Sequence, residues 1–157
     1  MSSAPQTTRV FLITIAAVTA FAATGCGMIN GMMNKQSNMV AFTTQLRASN
    51  EVPVNASTGT GSVDAVLNKD TSLFRWKANY SGLSGPATAA HFHGPAPVGA
   101  NAGVALAWPT PMSASMEGSA TLTPAQVADL MAGRWYANVH TAANPGGELR
   151  GQMTVRN

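Results

Sequence analysis

Two segments near the C-terminus, Arg134–Thr141 and Gly147–Val155, constrain the fold of this chain more than any other feature. Both have the alternation of a strand, and Ala142 to Gly146 between them (AANPG) has the composition of a turn. If Thr141 is set opposite Gly147, then His140 faces Glu148, Asn138 faces Arg150 and Tyr136 faces Gln152. On the other side Val139 meets Leu149 and Trp135 meets Met153. A single register therefore puts every polar pair on one face and every apolar pair on the other, and a slip of one residue would mix them. The sequence predicts an antiparallel hairpin with a polar face that carries a histidine.

Further short strands follow the same logic upstream. Leu73–Tyr80 alternates Phe74, Trp76, Ala78 and Tyr80 with Arg75, Lys77 and Asn79, the pattern of a half-buried antiparallel strand. Val40–Leu46, Ser62–Leu67, Ala87–His93, Gly103–Trp108 and Ser115–Leu122 complete the set, separated by turn-rich stretches such as Ser81 to Pro86 and Pro95 to Asn101. One helix is expected. Thr123 is its N-cap, Pro124 its first residue and Gln126 the partner in a capping box. Val127, Leu130 and Met131 form its apolar stripe and Gly133 ends it, which suits a crossover lid. The pattern predicts an all-β, antiparallel Greek-key β-sandwich with one short helix, spanning residues 40–157.

The N-terminus has a different character. Arg9 is followed by a largely apolar run of 14 residues, Val10 to Ala23, too short for the ~20 of a membrane-spanning helix but suited to a secretory signal. Ala23-Thr24-Gly25-Cys26 then resembles the lipobox of bacterial lipoproteins, although that pattern prefers Leu where Ala23 stands. Cys26 is the only cysteine, so it has no disulfide partner within the chain. The expectation is a signal over residues 1–25, lipidation at Cys26, and a tether over residues 26–39 that holds the domain to a lipid membrane. Gly27 in place of Asp points to the outer membrane, with the domain facing the periplasm. The tether carries Met28, Met32, Met33 and Met39; thioethers are soft ligands for Cu(I), though flexible spacers also carry methionine for no such reason. Loss of Arg9 with the signal takes the formal charge from +3 (9 basic, 6 acidic) to +2 (8 and 6), without the clustering that nucleic acid requires.

The chain has three histidines, His91, His93 and His140. His91 and His93 share one face of a strand, with Cα atoms about 6.5–7 Å apart, so both rings can reach one ion. If the strands of His91 and His140 are close, the three imidazoles form a candidate site for copper or zinc, with Glu148 as a ligand or a supporting partner. The alternative is that the rings hydrogen-bond to loop carbonyls. Glu148 and Arg150 are candidates for an ion pair or for holding the 142–146 loop.

Thr88 to Gly94 (TAAHFHG) and Tyr136 to Gln152 (YANVHTAANPGGELRGQ) strongly resemble the CHRD domain family, named after chordin. Glu51-Val-Pro, Gly59 with Gly61, Gly82-Leu83, and Leu130 with Gly133 fall where that family has similar residues. The resemblance covers residues 40–155 and implies an immunoglobulin-like or superoxide dismutase-like β-sandwich with no established catalytic activity. It favours a non-enzymatic, membrane-tethered module that binds an envelope protein or glycan, with the 95–101 and 142–146 loops as contact regions. Periplasmic copper or zinc binding by the histidines is the second reading. Superoxide dismutase chemistry is a third and weaker one, because it needs more histidine ligands than three. No serine sits in a nucleophile–base motif.

Overall fold

The computed structural model describes residues 38–156. The expected signal, Cys26 and the tether methionines Met28, Met32 and Met33 lie outside the described residues. Within them the chain forms nine strands and one α-helix. In chain order these are β1 (Met39–Arg47), β2 (Thr60–Asn68), β3 (Leu73–Ser81), β4 (Ala87–His93), β5 (Val104–Ala107), β6 (Ser115–Thr121), α1 (Pro124–Met131), β7 (Tyr136–Thr141), β8 (Leu149–Gln152) and β9 (Thr154–Val155). Met39, expected in the tether, already belongs to β1.

All pairings are antiparallel, and the strands run in the order β5-β4-β7-β8-β1-β2-β3-β6, with β9 beside β1. The sheet curls until its two wings touch. Phe92 on β4 meets Phe74 and Trp76 on β3 with ring centroids 5.3 Å apart, although five pairings separate those strands along the sheet. Trp135, 0% exposed, stacks on Phe92 and meets Phe74 edge-on. These rings, with Phe42, Leu46, Leu67 and Leu149, fill the space between the wings. Each fully buried large side chain contributes roughly 1.5–3 kcal/mol. The result is the all-β, sandwich-like fold that the alternation predicts.

The β7–β8 register is the expected one: Tyr136 opposite Gln152, Asn138 opposite Arg150, Val139 opposite Leu149. A bond from Met153 N to Trp135 O (2.9 Å) extends it before β9 departs to pair with β1. The capping box is also present, with Thr123 and Gln126 reciprocally bonded, and Gly133 follows the helix at φ +67°, where a Cβ would be strained. Leu130 is the stripe residue buried in the core, whereas Met131 is exposed.

One feature of β7 departs from simple alternation: all six of its residues are buried. Its apolar residues Ala137 and Val139 face the aromatic core, and its polar face is covered too. The loop from Gly94 to Gly103 lies across that face, fastened by side chains from beneath. Tyr136 Oη accepts from Ala102 N (3.1 Å), and Gln152 Nε2 donates to Ala96 O (3.1 Å). Arg150 donates to Asn101 Oδ1 (2.8 Å) and Ala100 O (2.5 Å). The Glu51 loop closes the other side, where Asn138 Nδ2 donates to Glu51 Oε1 (2.6 Å) and Asn101 Nδ2 to Val52 O (2.9 Å).

Candidate metal centre

β4 lies beside β7, and His91 is opposite Asn138 and Ala89 opposite His140. His91 and His93 project from the face of β4 opposite Ala90 and Phe92, which enter the core. His140 projects from the same side of β7, one strand away. The three rings converge, with centroids 5.0 Å (His91–His140), 5.4 Å (His91–His93) and 6.0 Å (His93–His140) apart. One nitrogen from each lies within 4.8 Å of the other two.

The hydrogen bonds fix which nitrogens are available. His93 Nδ1 is 3.0 Å from Ala102 O, and His140 Nδ1 is 3.0 Å from Pro145 O. A carbonyl only accepts, so each Nδ1 carries the proton and each Nε2 keeps its lone pair. The two uses of histidine weighed from the sequence are therefore complementary. The carbonyls of the 94–103 and 142–146 loops orient the rings, as supporting acceptors do around metal-ligating histidines. His93 Nε2 is buried and has no hydrogen-bond partner among the described residues. His140 Nε2 sits 3.1 Å from His91 Nδ1, where His91 must donate because two lone pairs repel. An ion at this position would replace that proton, and His91 would carry its hydrogen on Nε2 instead.

The electrostatics keep the rings neutral. Burial lowers the pKa of all three below the ordinary value. Neighbouring histidine charge lowers His91 and His93 further, and Arg150 adds to the effect at His93. The carbonyl bonds of His93 and His140 act in the opposite direction without reversing it. Neutral imidazole is the metal-binding form.

Glu148 does not join this cluster, contrary to the expected ligand or supporting role beside His140. Its carboxylate turns into the loops and is fully used there. It accepts from Ser57 Oγ (2.6 Å), Ser84 N (2.7 Å), Ser84 Oγ (2.6 Å), Thr141 Oγ1 (2.6 Å) and Asn144 Nδ2 (3.1 Å). Nor does it pair with Arg150: each has its own neutral partners. Holding the 142–146 loop is the role it does have, through Asn144, and that loop presents Pro145 O to His140.

The CHRD domain family matches residues 42–153, which include all three histidines and both loops that orient them. The chain belongs to the CHRD domain family. It is a family of non-catalytic modules. No curated protein and no solved structure shows detectable similarity to the chain.

Sequence reasoning missed the groups around the histidines. The Tyr136 ring stacks on His93 at 5.0 Å and 5° between planes, and the Arg150 guanidinium lies 3.5 Å from the Tyr136 centroid. The alternation of Tyr136, Asn138 and His140 shows only that they share a face. The carbonyls of Ala102 and Pro145 carry no residue-type signal at all.

Proposed function

We propose that this CHRD domain is a non-enzymatic cell-envelope binding module whose bound species is a copper or zinc ion, held by His91, His93 and His140. The observation that carries this reading is the convergence of three imidazole nitrogens within 4.8 Å, two of them with tautomers set by backbone carbonyls. Borderline nitrogen ligands suit copper and zinc. The buried lone pair on His93 Nε2 supports it as well, since an unpartnered acceptor inside a protein is costly unless something binds it.

Dialysis against copper or zinc followed by metal analysis tests the site. One ion per chain is expected, and none after H91A, H93A and H140A are combined. Stoichiometric binding that survives the triple substitution would sink it.

The anchor belongs to the same proposal and rests on the sequence from Val10 to Cys26. Cys26→Ser should move the full chain from the membrane fraction to the soluble periplasmic fraction. An unchanged distribution refutes lipidation at this residue.

A protein or glycan partner is a second reading. It is favoured by a groove of about 420 Å³ between the Glu51 and 94–103 loops, bordered by Val54 and Val98, which are 66% and 80% exposed.

A further inference from the structure

Resting on the reading of His91, His93 and His140 as one metal site, we infer that its ion is Cu(I), selected over Cu(II) and Zn(II) by the buried cation Arg150. Imidazole alone does not choose among these ions. The choice falls to the charge of the surroundings and to the number of ligands.

The ligand set carries no charge of its own. Among the described residues, no carboxylate or thiolate joins the three histidines. A bound Cu(I) therefore leaves a net charge of +1 in a half-buried site, and Cu(II) or Zn(II) leaves +2. Taking charge out of water becomes steeply more costly as the charge grows.

Arg150 adds to that discrimination. It is 2% exposed, and among the described residues no carboxylate oxygen lies within 4.0 Å of it. Its contacts are neutral: the Asn101 side chain, the Ala100 carbonyl and the Tyr136 ring. β7 lies between β4 and β8, so Tyr136 has His93 on one side and Arg150 on the other. The guanidinium, the phenol ring and the imidazole form one stack that leads toward the ion. Burial pushes the Glu51 carboxyl up to about 7, against the pull of Arg150 and hydrogen bonds from Val52 and Asn138. Its charge therefore offsets only part of Arg150 at neutral pH.

Cu(I) and Cu(II) differ by one unit of charge, so the field of Arg150 acts directly on the preference between them. At roughly 10 Å and an effective dielectric of about 20, one buried charge changes that preference roughly tenfold. Three nitrogen ligands also satisfy Cu(I), whereas Zn(II) needs a fourth ligand, supplied at an open site by water.

The test uses the full chain in detergent, titrated anaerobically. Cu(I) is competed against bathocuproine disulfonate under a reductant, and Cu(II) and Zn(II) against chelators of known affinity. The expected result is one Cu(I) per chain, bound at least tenfold more tightly than Cu(II) or Zn(II). Arg150→Met should reduce the Cu(I)-over-Cu(II) preference roughly tenfold, and Arg150→Lys, which keeps the charge, should retain most of it. Should Arg150→Met fail to fold, the midpoint potential of wild-type-bound copper decides instead: above that of copper in imidazole solution supports the inference, and at or below it overturns it. Wild-type binding of Zn(II) or Cu(II) as tight as Cu(I), or an unchanged preference in folded Arg150→Met, also overturns it while leaving the metal site standing. Failure to bind any of the three ions removes the site itself.

Discussion

Glu148→Gln is the substitution whose consequence can be worked furthest. Glu148 is 0% exposed and its two oxygens accept five hydrogen bonds. Burial by itself would raise its pKa, but donors from Ser57, Ser84 and Thr141 and from the Ser84 backbone outweigh it and hold the carboxyl near 2, against 4.5 in water. At 1.36 kcal/mol per unit, that difference makes the ionised group worth about 3 kcal/mol to the folded state. The sign follows from the direction. A depressed folded-state pKa gives a contribution fully present above pH 4.5 and lost as the pH falls through about 2.

The amide keeps the shape of the side chain but turns one acceptor into a donor and removes the charge. The backbone Ser84 N–H cannot rotate away as hydroxyls can. Thermal melts followed by circular dichroism should show the variant roughly 10 °C less stable at neutral pH. The gap should narrow toward pH 2, where the wild-type carboxyl is itself becoming protonated. Equal melting temperatures at pH 7 would refute the reasoning, and so would a gap that persists undiminished at pH 2. Because Glu148 holds the loop that presents Pro145 O to His140, the variant should also bind copper more weakly at neutral pH, even under conditions where it is fully folded.

Other predictions rest on separate features. Glu51 is raised to about 7, so its contribution to stability is present below pH 4.5 and fades as the pH rises through 7. Glu51→Gln should therefore gain up to about 3 kcal/mol on the wild type at pH 8 and little at pH 4, checked by urea denaturation at both; no gain at pH 8 counts against a buried, reluctantly ionised carboxyl. Gly118 lies on the Trp76 indole, where an added Cβ would overlap the ring. Gly118→Ala should cost about 1–3 kcal/mol and shift tryptophan emission, and a neutral effect would mean that this ring moves freely. Thr123→Ala removes the reciprocal cap of α1 and should lower stability by about 1 kcal/mol in a denaturation series, with metal binding unchanged.

The strands were legible because one of their faces meets a core. Phe74, Trp76, Ala78 and Tyr80 alternate because every second residue of β3 is buried, and the β7–β8 register follows from sorting polar from apolar pairs. The α1 boundaries were legible because capping is local: Thr123 and Gln126 bond within one turn. Glu148 was misjudged for a related reason. Pairing across a hairpin predicts which backbone positions are neighbours, but a residue at the end of the ladder is free to turn its side chain elsewhere. Three of its five hydrogen bonds come from Ser57 and Ser84, far away in the chain. The polar face of β7 was expected as a face, and its burial was not, since a Pro-rich loop gives no sign of where it will lie.

By itself, then, the sequence determined the strands, the helix, the family and the identity of the three histidines. It also fixed that His91 and His93 share a face, since a strand repeats every two residues whatever surrounds it. Only the tertiary structure decided that His140 would join them, because the placement of β7 beside β4 depends on contacts between residues 49 positions apart. It also decided the state of the site. The carbonyls of Ala102 and Pro145 set two tautomers, the covering loop half-buries the rings, and Arg150 reaches the cluster through Tyr136. Such effects depend on distance and burial, and neither is a property of any residue read alone.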